Sequence, residues 1–130
     1  IDLSEIPEGL GTGKVVDDAV RMRYLSEVSA EIHITPEGVA TVFAEAISYS
    51  SELTNLLVVA ELQQLVNGEW STLRTYRYFT GSNIAAISET CNVSRGYYYR
   101  VVNTTTAYAG SDSETKVAET PSGNFYVPGT

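Results

Sequence analysis

Hydrophobic and polar residues alternate with a period of two along most of the chain. Val28, Ala30, Ile32 and Ile34, for example, alternate with Ser29, Glu31 and His33. This period is typical of a β-strand with one buried face and one exposed face. The same alternation continues in further short runs of β-branched and aromatic residues. It predicts seven strands, over residues 28–34, 39–49, 56–66, 69–79, 84–93, 97–108 and 114–120.

Turn signals separate these strands at intervals of about 10 to 14 residues, a spacing typical of a sandwich or barrel. Asn67-Gly68 is the strongest of them, because a type I′ hairpin turn needs positive φ at both positions. The pattern predicts an all-β fold with a single antiparallel β-sandwich of immunoglobulin or fibronectin type III kind, over residues 22–120. Residues 1–21, rich in glycine and acidic residues, are expected to form a flexible acidic tail. Residues 121–130 are expected to form a C-terminal tail.

The run Gly96-Tyr97-Tyr98-Tyr99-Arg100 leads from a turn into the sixth predicted strand. Immunoglobulin-like sandwiches often use a tyrosine here, whose hydroxyl bonds back to the preceding loop. Tyr97 is our first choice for this tyrosine corner and Tyr99 the alternative. Both are expected to face inward, which turns Tyr98 and Arg100 outward. Trp70, just after the hairpin turn, either caps the core or lies partly exposed.

Two motifs together resemble a known family. They are Leu62-Gln63 running into Asn67-Gly68-Glu69-Trp70, and the Gly96–Val101 strand followed by Ser113-Glu114. The chain resembles, over residues 28–118, a domain of unknown function found in short proteins secreted by Gram-positive bacteria. The resemblance implies export by a leader that this chain no longer carries, and a non-catalytic role outside the cell or at its surface. It supplies no ligand and no catalytic residues.

Charge and hydropathy exclude two classes of partner. The 130 residues carry a formal net charge of −8, with a pI near 4.5. Only eight lysines and arginines are present, scattered along the chain, so a nucleic-acid partner is not expected. Membrane insertion is not expected either, because no apolar stretch reaches the roughly 18 residues of a spanning helix.

Catalytic and metal-binding motifs are scarce. Cys91 and His33 are the single cysteine and the single histidine, so neither a disulfide within the chain nor a zinc site of these ligands can form. The acidic clusters Asp17-Asp18 and Asp112-Ser113-Glu114 match no EF-hand loop, and a calcium site stays open. No motif marks a carboxylate pair for hydrolysis. The sequence therefore predicts a non-enzymatic protein without a cofactor, with a small hydrolase as the alternative.

The tyrosines are the candidate binding residues. Tyr76, Tyr78, Tyr98 and Arg100 are expected to form an exposed strip on one sheet face, where aromatic and guanidinium groups offer large contact areas with polar ends. Ordinary cross-strand packing would produce the same composition. A protein is the favoured ligand and a carbohydrate the alternative. A structural subunit that assembles through an open sheet edge or through its tails is a third hypothesis.

Overall fold

The computed structural model describes residues 11–18 and 22–121, and these contain eight strands and no helix. Within this part of the chain, no helix has the length and hydropathy needed to cross a membrane. The prediction of an all-β fold is confirmed, with one strand more than expected. The strands are β1 (Gly11–Asp18), β2 (Glu27–Ile34), β3 (Val39–Ile47), β4 (Asn55–Val66), β5 (Glu69–Thr80), β6 (Ile84–Asn92), β7 (Tyr99–Ala109) and β8 (Asp112–Glu119).

The strands form two antiparallel sheets that pack face to face, which confirms the predicted sandwich. The first sheet has the order β1-β2-β3-β6, and the second has the order β5-β4-β7-β8. The chain crosses between sheets after β3, β5 and β6, so strands adjacent in sequence often lie in different layers, as in immunoglobulin-like sandwiches. β1 lies against β8 and β6 against β5, so the sandwich has a β1–β8 side and a β5–β6 side.

The core lies between the two sheets and is built from alternate residues, as the period of two requires. Ile32, Val42, Val58 and Leu62 are completely buried, and each belongs to a row of inward-facing residues on its strand. We call this side of each sheet the inner face and the opposite side the outer face. Burial of these rows is the main driving force for packing the two layers.

β1 corrects the prediction of a flexible tail over residues 1–21. Gly11–Asp18 pairs with β2 along its whole length. Three of the four β1 positions in register with buried β2 residues are Gly11, Gly13 and Asp17, so the strand lacks the alternation that would reveal it in the sequence. Val15 is the apolar residue of this row, and it packs against the core. The other predicted tail residues, 1–10, 19–21 and 122–130, lie outside the described residues.

The β4–β5 hairpin has the predicted turn. Asn67 has φ of 52° and Gly68 has φ of 80°, so both central residues lie in the left-handed region. This confirms the role of Asn67-Gly68, since a type I′ turn matches the right-handed twist of the strands that it joins.

Candidate functional site

The tyrosine corner is formed by Tyr99, not by Tyr97. The Tyr99 side chain is completely buried, and its hydroxyl donates a hydrogen bond to the carbonyl oxygen of Ser94 at 2.5 Å. The Gln64 amide donates to the same hydroxyl at 3.1 Å. Our first choice, Tyr97, is wrong, because Tyr97 precedes β7 and is 39% exposed. Gly96, with φ of 90°, makes the turn between Ser94 and the corner.

Arg100 lies on the outer face of the second sheet, as predicted, but its guanidinium group already makes three contacts within the chain. It lies 4.4 Å from the centre of the Trp70 ring. Its Nε donates to Gln63 Oε1 at 2.7 Å, and its Nη1 pairs with Glu119 Oε2 at 2.9 Å. These contacts leave the Arg100 side chain only 20% exposed. Arg100 and the half-buried Trp70 therefore form a structural cluster across four strands of this face.

Tyr98 contributes little accessible polar surface. Its backbone carbonyl accepts the N–H of Leu65 at 2.9 Å, which continues the pairing of β4 beyond the start of β7. The residue is half-buried, and its hydroxyl oxygen is inaccessible to solvent.

Tyr76 and Tyr78 lie on the opposite side of the sheet from Arg100, so the predicted strip does not exist as one surface. They pair with Ala60 and Val58, which are buried residues of the inner row of β4. Because β5 is the edge strand, this inner position is open at the side. Tyr76 is half-buried against the core, whereas Tyr78 is 45% exposed.

A β-bulge is the reason for this reversal. Near the turn, Gln63 pairs with Thr72, but the next pair along β4 is Leu62 with Arg74, so Leu73 is an extra residue on β5. A one-residue shift moves every later side chain to the other face. Without the bulge, Tyr76 and Tyr78 would share the outer face with Trp70. With it, they face the interior at the open edge.

The bulge therefore builds a groove along the β5–β6 side of the sandwich. The groove has a volume of about 460 Å³. Each of its two walls is an edge strand, since among the described strands β5 pairs only with β4 and β6 only with β3. It is lined by Thr75, Tyr76, Arg77 and Tyr78 from β5 and by Ala86, Ile87, Ser88 and Glu89 from β6.

The polar groups of the groove favour binding by hydrogen bonds and charge. Burial is the main reason that the pKa of Tyr76 is raised above its ordinary value, and the neighbouring Cys91 thiol raises it further. The Tyr76 hydroxyl therefore stays protonated and neutral at ordinary pH.

Arg74 and Arg77 are exposed on β5, and neither forms an ion pair within residues 11–18 and 22–121. Two cations thus stand beside an unpaired strand edge.

Of the other residues that could carry chemistry, Cys91 lies beside Tyr76 but does not line the groove, and the rest lie apart from it. His33 is exposed on the outer face of the first sheet. Cys91 is half-buried on β6 and packs against the core. Asp112 and Glu114 bind the segment that precedes β2. In the part of the chain that the structure describes, no three His, Cys, Asp or Glu side chains are grouped to hold a metal ion.

Comparisons of the chain with protein-family models, with curated proteins and with solved structures found no match. The fold assignment therefore rests on strand order, register and burial. The resemblance to the secreted Gram-positive family stays a prediction, carried by the motifs quoted above.

Proposed function

We propose that this protein is a non-enzymatic binding module that recognises other proteins at the β5–β6 side of its sandwich. The observation that carries the proposal is the free edge of β5 above the groove. From Arg74 to Thr80 the strand pairs regularly with β4 on one side and with no described strand on the other. Along these seven residues, the backbone N–H and C=O groups of every second residue therefore point away from β4, toward no described strand.

An unprotected edge of this kind is chemically competent to bind an extended segment. Proteins usually block edge strands with proline, inward charges or a covering loop, because free backbone groups pair with other chains. β5 contains no proline, and its bulge at Leu73 lies outside the regular stretch. Its one inward-facing charge, Arg74, lies at the end of that stretch and leaves the residues from Thr75 to Thr80 without such a block. An added strand gains affinity from main-chain hydrogen bonds and specificity from alternate side-chain positions.

Side chains on β5 define the kind of segment that fits. Tyr76 and Tyr78 offer aromatic surface to alternate residues of an added strand on the groove side. Arg77 and the 60% exposed Phe79 lie on the other side. With two arginines available, an acidic segment with alternating apolar residues is preferred over a basic one.

Two further parts of the proposal have separate support. A location outside the cell or at its surface rests on the resemblance to a secreted family. A non-enzymatic role is supported by the engagement of the Asp112 and Glu114 carboxylates in structural bonds. A carbohydrate ligand is the second candidate, favoured by the exposed ring of Tyr78 beside Arg77 and Glu89.

Selection of displayed random peptides on the immobilised chain tests the proposal. We expect enriched peptides to carry two acidic residues three positions apart, opposite Arg74 and Arg77, and apolar residues opposite the two tyrosines. They should lose binding to the Arg74→Glu/Arg77→Glu variant. Arg95→Glu, the same kind of substitution at a single exposed arginine in the loop before β7, is the control and should retain binding. No enrichment, together with glycan-array binding that Tyr78→Ala abolishes, would replace the protein ligand by a sugar.

A further inference from the structure

We propose that the β5 edge binds residues Ile1–Ile6 of a second copy of this chain. This inference rests on the proposed function, because it names one occupant for the same edge. The segment has the sequence IDLSEI, with acidic residues at positions 2 and 5. The arginines of the β5 edge, at positions 74 and 77, have the same spacing of three.

One antiparallel register matches all of these side chains. It sets Asp2 beside Arg77 and Glu5 beside Arg74, so both unpaired cations gain a carboxylate. The same register sets Ile1 and Leu3 beside Tyr78 and Tyr76, on the side of the groove. Ion pairs and apolar–aromatic pairs are the cross-strand combinations that stabilise antiparallel strands.

The bulge and Pro7 end this register at the same point. Continuing the pairing would set Ile6 beside Leu73, the extra residue of the bulge, and Pro7 beside Thr72. Proline cannot donate to a strand ladder, and regular pairing of β5 also stops here. The parallel arrangement also matches the charges, but it places Asp2 and Ser4 on the groove side in place of Ile1 and Leu3. The antiparallel register is therefore preferred.

The segment must come from another molecule. It continues into β1, which lies at the β1–β8 side of the sandwich. A strand added outside β5 would lie four strand spacings away in the other sheet, about 21 Å in a straight line through the core. The six steps from Glu5 to Gly11 extend at most about 22 Å, which only just equals that line. The segment cannot pass through the packed core, and the path around the sandwich exceeds this reach. Exchange between copies produces a chain or a ring if each copy donates its segment to the next, and a two-fold dimer if two copies donate to each other.

Light scattering of the full chain over a concentration series tests the proposal, with variants that reverse the charges of the segment or of the β5 edge. We expect concentration-dependent association of the unmodified chain. Arg74→Glu/Arg77→Glu and Asp2→Arg/Glu5→Arg should each lower the association constant by about 10- to 30-fold. A mixture of the two variants should associate again, because the reversed segment of one matches the reversed edge of the other. Such recovery also shows that both variants are folded.

Two results overturn the inference. A chain that stays monomeric at every concentration excludes the second copy as occupant. Association that both double variants retain, or that their mixture does not restore, places the contact elsewhere. In either case, enrichment of acidic peptides on the β5 edge in the display selection leaves the proposed function standing with a different partner, so the two failures are distinguishable.

Discussion

The Glu114 carboxylate accepts the backbone N–H of Leu25 at 2.7 Å, and this bond joins β8 to the segment that enters β2. The same carboxylate accepts the N–H of Tyr24 at 2.5 Å and that of Arg23 at 2.9 Å. The sandwich is thus closed on its β1–β8 side by a bonded crossing segment. On the β5–β6 side, the described chain crosses between the sheets at the short connection formed by residues 81–83, and no described segment binds along the β5 edge.

Replacement of Glu114 by Gln should destabilise the protein by about 1 to 3 kcal/mol, because the new NH₂ group cannot accept one set of these backbone donors. Urea unfolding followed by circular dichroism measures the change. Glu37→Gln, at an exposed position in the β2–β3 turn, is the control and should change stability by less than about 0.5 kcal/mol. Equal effects of the two substitutions would contradict the closing role of Glu114.

Asp112 predicts a defined pH dependence. The Tyr24 hydroxyl donates a hydrogen bond to the Asp112 carboxylate at 2.7 Å, and this bond is the main reason that the pKa of Asp112 lies below 3.8. The ion pair with the Arg23 guanidinium lowers it further. A lowered folded pKa contributes stability above the ordinary value, and this contribution is lost as pH falls through the folded value. The bond to Asp112, with burial second, raises the pKa of Tyr24 above 10.0. That contribution is present below pH 10 and is lost as pH rises through the folded value.

The stability difference between the unmodified chain and Asp112→Asn should therefore be largest at pH values between the folded pKa of Asp112 and that of Tyr24. It should shrink as the pH falls below the first value or rises above the second. Urea unfolding at a series of pH values measures it. A difference that stays constant from neutral pH to well below 3.8 would show that the ionised carboxylate contributes nothing.

Tyr99→Phe tests the tyrosine corner. It removes the hydroxyl that bonds the Ser94 carbonyl and leaves that acceptor without its partner, at an expected cost of about 1 to 2 kcal/mol. Tyr97→Phe is the matched control two residues away and should be nearly neutral, because Tyr97 is 39% exposed. Thermal unfolding should therefore give a lower Tm for Tyr99→Phe than for Tyr97→Phe. A lower Tm for Tyr97→Phe would show that Tyr97, and not Tyr99, forms the tyrosine corner.

Asn103 links the two sheets through its buried amide. Its Nδ2 donates to the carbonyl oxygens of Ser29, at 2.9 Å, and Glu45, at 3.2 Å, while its Oδ1 accepts from Thr105 at 2.7 Å. Asn103→Ala should cost about 2 to 4 kcal/mol, since three polar groups lose their partner in the interior. Chemical unfolding measures the loss. Thr104→Ala, on the next residue and facing the other side, is the control; equal losses would contradict the linking role.

The sequence predicted the sandwich because seven strands carry a regular alternation that a buried face requires. β1 escaped prediction, since Gly11, Gly13 and Asp17 occupy the positions that pair with buried β2 residues. Its strand character comes from backbone pairing with β2, which leaves no periodic signal in the side chains.

The candidate site was predicted only in part, for a reason that lies in the register. Tyr76 and Tyr78 share one face, as predicted, but which face they share depends on Leu73, whose bulge reverses the alternation along β5. Alternation within a strand fixes which residues share a face, and it cannot locate an inserted residue. Arg74 and Arg77 were not among the candidates for a different reason: their position on an edge strand follows from strand order, which alternation along the chain does not reveal.

Site-resolved amide hydrogen exchange of β5, measured by NMR, tests the central claim that its free edge binds a partner strand. The N–H groups between Arg74 and Thr80 that do not bond to β4 should exchange rapidly in the isolated chain. They should become protected when an acidic peptide from the display selection is added in excess, while amides of β8, the other edge strand of the same sheet, keep their rates. Protection of β8 or of the outer sheet faces, with β5 still exchanging rapidly, would contradict the claim.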